Sequence, residues 1–449
     1  MNKKIMLINP PMTYLTPMEP IRLAQPMGIC YIAAVLEKSG YDVKILDAHA
    51  EGFRNRVKIE GRIQVGLNEK QIADRISEFK PAIVGVSAMF TDQYKNAHLV
   101  CKIAKEVLPG IKTCLGGVHP TMVPKEVLKD PNIDHIIKGE AEYSFKYFCD
   151  WLIRKKEVAR SKIDGLDLNP KKYWIENLDN LPVPARHFLD LQKYFAVGRA
   201  YRESSKREPA FPIITSRCCP ASCNFCATHQ MQGYYRERSV NNVIAEIEYL
   251  IDTYNMQEIY FLDDALAFGN FRELLKKMIE NCYDLTWHGA NGVAIYNLDD
   301  EIIELFAKSG SYKIILAIES GVQETLKYMR KPVRLDKAKS IISKIQSYGM
   351  QTESMFMIGL PCETKEDILN TIKFADSLNL DYVNFPLATP FKGTDFYKDC
   401  LERSYLIKDY KFENLKFGIG NIQTDEWGPE FVEMVRKESW KRINKVNHN

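Results

Sequence analysis

Residues 211 to 229 read FPIITSRCCPASCNFCATH, an apolar strand-like run that passes into a loop carrying Cys219, Cys223 and Cys226 in the spacing CxxxCxxC. Three soft thiolates within eight residues can meet at one inorganic centre without long-range loop closure. Zinc would ask for a fourth Cys or His at comparable spacing, and His229 is the conceivable one. An iron–sulfur cluster held by three cysteines keeps one iron open to another ligand.

Outward from that loop, FPIIT (211–215) is the first of six β-branched runs, followed by EIYFLD (258–263), LTWHGA (285–290), YKIILAIES (312–320), TESMFMIG (352–359) and DYVNFPLA (381–388). Each precedes a stretch with helical apolar spacing. Six βα units are two short of a full eightfold barrel, which predicts a partial (β/α)6 TIM-like barrel over 206–395 with its active face at the strand C-termini. Upstream, KIMLIN (4–9), YDVKILD (41–47), AIVGVS (82–87), IKTCLG (111–116) and IDHIIKG (133–139) alternate with helices. They predict a second α/β layer over 1–160, a doubly wound, Rossmann-like parallel sheet whose ligand lies beyond the strand ends. Between the two, 161–205 loses periodicity around Pro170, Pro182 and Pro184 and reads as a linker, while 396–449 reads as a C-terminal segment.

Composition narrows the classes. Lys plus Arg is 61 against 58 Asp plus Glu, a net +3, so neither nucleic acid nor an anionic membrane is an expected partner. No run approaches a membrane span and no secretory leader is apparent, so the expectation is a cytoplasmic protein. Eleven cysteines in such a compartment point to metal or redox chemistry before disulfides.

The cysteine loop, with Phe225 before its last cysteine, resembles the radical S-adenosylmethionine superfamily, and residues 211 to about 395 carry the resemblance. It implies a 4Fe–4S cluster on Cys219, Cys223 and Cys226 whose open iron chelates S-adenosylmethionine, which is then split to a 5′-deoxyadenosyl radical. It further implies cosubstrate contacts from Phe225, from Asp263 and Asp264 toward the ammonium, from Glu319, Ser320 and Gly321 toward the ribose, and from Gly359, Leu360 and Pro361 toward the adenine. Cys218 and Cys362 stand where glycine is common in that family. Arg330 and Lys331 could meet a carboxylate, although a solvated helix end is their default reading, and His229 reads as a residue that packs the loop.

The first half resembles the cobalamin-binding domain joined to many such enzymes. Ser87, Met89 and Thr91 follow its third strand, Gly116, Gly117 and His119 its fourth, and Gly139 and Glu140 its fifth. Asp47-Ala48-His49-Ala50-Glu51-Gly52 spells the DxHxxG signature of a histidine axial ligand, but it follows the second strand instead of the first. The resemblance therefore implies base-off cobalamin without a histidine ligand, its lower face bordered by the loop from Asn9, Pro10 and Pro11 to Gly28.

Together the two halves imply a cobalamin-dependent radical methyltransferase acting on an unactivated carbon or phosphorus. Its expected partners are a small-molecule or peptide substrate and a low-potential electron donor such as flavodoxin or ferredoxin. The rival within the same cofactor class is a cyclase or ring-rearranging oxidoreductase, and the rival outside enzymes is a corrinoid sensor or carrier. A methylthiotransferase would need a second cysteine set, which Cys30, Cys101, Cys114 and Cys149 do not supply at successive strand ends. Trp427, Trp440, Tyr405 and Phe412 are candidates for the substrate wall, and no acid or base is assigned.

Overall fold

The computed structural model describes residues 2–15, 21–59, 61–154, 160–200 and 205–444. It divides into two units, one of residues 1–205 with 230–233, the other of 206–229 with 234–449.

In the first unit β1 (Lys4–Asn9), β2 (Asp42–Asp47), β3 (Ile83–Ser87), β4 (Lys112–Gly116) and β5 (His135–Ile137) form a parallel sheet in the order β2-β1-β3-β4-β5. Its strands are nearly continuous apolar runs because helices cover both faces; Ile5, Met6 and Ile8 of β1 are completely buried. The order reverses between β1 and β3, so Asn9 and Ser87 flank the switch point where ligands of such sheets bind.

Two features depart from the expected layout. Met12–Tyr14, Arg56–Ile59 and Arg62–Val65 form a small antiparallel ribbon. It is held to the loop after β3 by Gln93, whose side chain accepts from Thr13 N at 2.7 Å and donates to Thr13 O at 2.8 Å, as a neighbouring strand would. The stretch read as a linker is built into the first unit. Lys138 N donates to Gly165 O, Ala185 N donates to Cys30 O, and Ile163, Leu166, Ala185, Leu189 and Tyr194 join the hydrophobic core. Its prolines end helical periodicity, but the apolar side chains between them still close the sheet edge.

In the second unit β6 (Ala210–Ile213), β7 (Glu258–Phe261), β8 (Thr286–Gly289), β9 (Ser311–Glu319), β10 (Gln351–Phe356) and β11 (Tyr382–Asn384) pair in parallel in simple chain order. This is the expected six-stranded partial barrel. The connecting helices start where the sequence places caps: Ser239 accepts from Asn242 N, Asp299 from Ile302 N, and Thr364 forms a capping box with Asp367. The C-terminal helix Pro429–Ile443 belongs to the same unit, its Trp440 donating to Tyr382 OH on β11 at 3.0 Å. Among the described residues no helix is long and apolar enough to cross a membrane.

Candidate functional site

The cysteine loop leaves β6 through Thr215 and Ser216, and both are clasped by Asp263 just beyond β7. Its carboxylate accepts from Thr215 N (3.1 Å) and Oγ1 (2.7 Å) and from Ser216 N and Oγ (2.5 Å each). Asp263 is 1% exposed. Its oxygens are committed to the loop, which corrects the expectation that it meets the cosubstrate's ammonium. Asp264 is exposed, and its charge acts on Cys218 and Cys219, so it is the member of the pair that faces the cluster loop.

Cys218 is completely buried and sits in the left-handed region at φ 67°. That conformation explains why glycine suits this position. Cys219, Cys223 and Cys226, the expected ligands, are by contrast half-buried. His229 packs the loop as expected, its Nε2 lying 2.8 Å from Ala221 O and its Nδ1 3.8 Å from the Cys218 sulfur. Asn224 anchors the far side, donating from N to Met329 O and from Nδ2 to Tyr328 O and accepting at O from Phe396 N. Phe225 is half-buried beside it.

Among the described residues no three Cys, His, Asp or Glu side chains are gathered for a single metal ion. A cluster with its own sulfides takes each thiolate on a different iron and does not need that convergence. Burial raises the Cys219 thiol and pushes Cys223 up to about 11, while Lys331 pulls both down; coordination to iron would complete the deprotonation. Three accessible thiols beside a cation thus fit a three-cysteine cluster.

Lys331 is the residue whose importance the sequence understated. It is not a solvated helix end: its Nζ lies 3.1 Å from Glu319 Oε1, with both side chains only 10% exposed. Burial opposes its charge, but Glu319 and Cys223 hold its pKa above the ordinary lysine value. Glu319 itself ends β9 at φ 74°. Arg330 remains exposed and pairs with Asp395.

Ser320 is fully buried, its hydroxyl 3.1 Å from Thr371 Oγ1 and accepting from Val322 N, so the expected ribose contact is corrected to a structural one. Gly321 is required by packing, since a Cβ would lie 2.5 Å from Phe374 Cβ. Gly359 (φ 84°), Leu360 and Pro361 form a turn beyond β10, with Gly359 N and Leu360 N each donating to Glu363 Oε2 at 2.8 Å. Of the proposed wall aromatics, Trp427 is 3% exposed and donates to Glu363 O, so it supports this turn. Tyr405 bonds Asp425, and Phe412 lies under Lys392.

In the first unit, Ser87, Met89, Thr91, Gly116 and Gly117 line the ends of β3 and β4, with Met89 and its neighbour Phe90 52% and 55% exposed. Gly117 (φ 108°) is obligatory, because a Cβ there would lie 2.9 Å from the backbone of Ala88. His119 is 1% exposed and packed against Tyr94 and His98, and burial lowers its pKa to about 3. It is a neutral core residue and not an open ligand contact. Gly139 is covered by Trp174, and Glu140 accepts from Ile175 N at 2.6 Å; both tie down the former linker. Asn9 donates to Asp47 Oδ1, while Pro10 and Pro11 are buried; Thr16 to Pro20 of their loop lie outside the described residues. Asp47 caps its helix and accepts from Tyr194 OH, and His49 is 4% exposed with Nε2 3.2 Å from Tyr14 OH. Cys30, Cys101, Cys114 and Cys149 are all buried, so no second cysteine set is presented.

Fold and site define a cobalamin-binding sheet joined to a radical S-adenosylmethionine barrel. Family models agree: a B12 binding domain matches residues 23–148 and the radical SAM superfamily residues 213–375. Cytidylyl-2-hydroxyethylphosphonate methyltransferase of Streptomyces wedmorensis is 31% identical over 477 residues, covering 97% of this chain and 89% of that protein. The anaerobic magnesium-protoporphyrin IX monomethyl ester cyclase of Rubrivivax gelatinosus is 29% identical over 406 residues, covering 87% and 68%. Among solved structures, the radical S-adenosylmethionine methyltransferase TsrM from Kitasatospora setae, with cobalamin and a [4Fe-4S] cluster bound, shares the fold at a TM-score of 0.70, 15% identity and coverage of 90% and 75%. The chain belongs to the cobalamin-dependent radical S-adenosylmethionine enzymes, which use a 4Fe–4S cluster, S-adenosylmethionine and cobalamin.

Proposed function

We propose that the protein is a methyltransferase that delivers a methyl group from S-adenosylmethionine, by way of cobalamin, to an unactivated carbon or phosphorus of a small molecule or peptide. The observation that carries this reading is the end-to-end likeness, at 31% identity, to a methyltransferase acting on a cytidylylated phosphonate. A bound cluster supplies the electron that splits the sulfonium, and the corrinoid carries the methyl group.

The chain's own part is positioning. Asp263, Asn224 and His229 hold the loop that presents the three thiolates. Lys331, balanced by Glu319, keeps a fixed positive charge in a dry setting beside them. Cobalamin would be held base-off without a histidine ligand from this chain, a reading supported by the burial of His49 and its contact with Tyr14. The reducing electron comes from a low-potential flavodoxin- or ferredoxin-like donor.

A cyclase reading has one observation in its favour, the likeness to the Rubrivivax cyclase over 87% of the chain. Coproducts separate the two. Anoxically reconstituted protein is reduced with S-adenosylmethionine and substrate: methyl transfer releases S-adenosylhomocysteine together with 5′-deoxyadenosine, whereas cyclisation releases 5′-deoxyadenosine alone. Deoxyadenosine without homocysteine product, or neither compound, rejects the methyltransferase.

A further inference from the structure

We propose that Glu363 and Trp427 are positioning residues for the adenosyl half of S-adenosylmethionine: the C-terminal segment holds the turn Gly359–Pro361 in its binding shape through them. This rests on the functional reading above.

Gly359 adopts φ 84°, so the backbone changes direction beyond β10 where no helix or strand ladder takes up its amides. Both free amides, Gly359 N and Leu360 N, go to one oxygen of Glu363 at 2.8 Å. A carboxylate four residues on is therefore what fixes the turn. Glu363 is 4% exposed and its other oxygen, Oε1, is buried without a hydrogen-bond partner. Burial also raises its pKa to about 8. A carboxyl group so costly to bury is held in place by its surroundings, not by local preference.

Those surroundings are the C-terminal segment. Trp427 Nε1 donates to Glu363 O at 2.7 Å, and its ring lies 3.7 Å from where a Gly359 Cβ would be. Trp427 is itself locked by Thr424, whose Oγ1 accepts from Trp427 N at 3.1 Å, while Glu426 accepts from Lys365 N at 3.0 Å. Thus the segment Thr424–Trp427 grips the chain on both sides of Glu363, and Glu363 grips the turn. Residues some 65 positions downstream shape a loop that contributes only backbone to the cofactor.

The test uses reconstituted holoenzyme and two probes that share the amino-acid end but not the nucleoside: S-adenosylhomocysteine, by equilibrium dialysis, and methionine, by its perturbation of the reduced cluster's EPR signal. Trp427→Phe keeps the ring and removes the donor, and is expected to weaken S-adenosylhomocysteine about tenfold. Glu363→Ala weakens it further, and Glu363→Gln, which keeps an acceptor for both amides, restores it to within about threefold of the natural protein. Methionine affinity stays unchanged throughout. Unchanged S-adenosylhomocysteine affinity in Trp427→Phe and Glu363→Ala overturns the proposal, as do equal losses for both probes, the mark of a damaged fold. If the natural protein binds neither probe, the functional reading itself fails.

Discussion

Replacing Asp263 by alanine separates a structural clasp from a cosubstrate ligand. The carboxylate accepts from two backbone amides and two hydroxyls of Thr215 and Ser216, which are only 5% and 4% exposed. The hydroxyls can turn to other acceptors, but the two amides cannot. At about 1–3 kcal/mol for each buried donor left unpaired, the loss is about 2–6 kcal/mol, a large share of the roughly 5–15 kcal/mol that holds a domain folded. The strain falls on the connection between β6 and the cysteine loop, so the second unit opens locally before it unfolds. Hydrogen exchange over residues 210–218 is expected to speed up by about one and a half to four orders of magnitude, with iron content after reconstitution falling in parallel. Asp263→Asn, which keeps one acceptor oxygen, lies in between, and Asp264→Asn leaves exchange unchanged. The reasoning is refuted if Asp263→Ala exchanges like the natural protein, or if Asp263→Asn lowers only S-adenosylmethionine affinity.

Cys218→Gly is expected to keep full iron content and to change stability by no more than about 1 kcal/mol, because relief of the left-handed conformation offsets the lost buried thiol; iron analysis and a melting curve check it. Lys331→Met leaves the Glu319 carboxylate buried and alone, and is expected to cost about 3–5 kcal/mol in denaturant titration, partly recovered by adding Glu319→Gln. Glu363 is raised from its ordinary 4.5 to about 8, so the folded chain binds a proton there that the unfolded chain has lost; its stabilising contribution is full below about pH 4.5 and disappears as pH rises toward 8. Melting temperatures from pH 5 to 9 should therefore fall less steeply in Glu363→Gln than in the natural protein.

All eleven parallel strands were legible in the sequence, since strands buried on both faces lie within nearly continuous apolar, β-branched runs. The three cluster cysteines were legible because they are neighbours in the chain. What sequence could not convey was which way a side chain at a strand end faces. Asp263 and Asp264 look equivalent on paper, yet one is clamped inward by Thr215 and Ser216 and the other is exposed. Lys331 reads as a helix-end cation because its partner, Glu319, lies twelve residues away, on the other side of the helix Gln323–Tyr328. The ribbon through Met12–Tyr14 left no apolar signal, for its short strands are exposed or half-buried except at Val65, and Gln93 supplies a side-chain substitute for strand pairing. The segment after residue 160 differs from its linker pattern for the opposite reason: prolines signal irregular backbone, and irregular backbone can still be core.

We propose that Cys219, Cys223 and Cys226 alone hold the iron–sulfur cluster and leave one iron for S-adenosylmethionine. The direct test is EPR of the anoxically reconstituted, reduced protein with and without S-adenosylmethionine, combined with iron analysis of cysteine variants. The expected result is a 4Fe–4S signal that shifts when S-adenosylmethionine is added and that is lost on changing any of these three cysteines, but not on changing Cys218 or Cys362. A signal indifferent to S-adenosylmethionine, a fourth protein ligand on the cluster, or zinc in place of iron would contradict it.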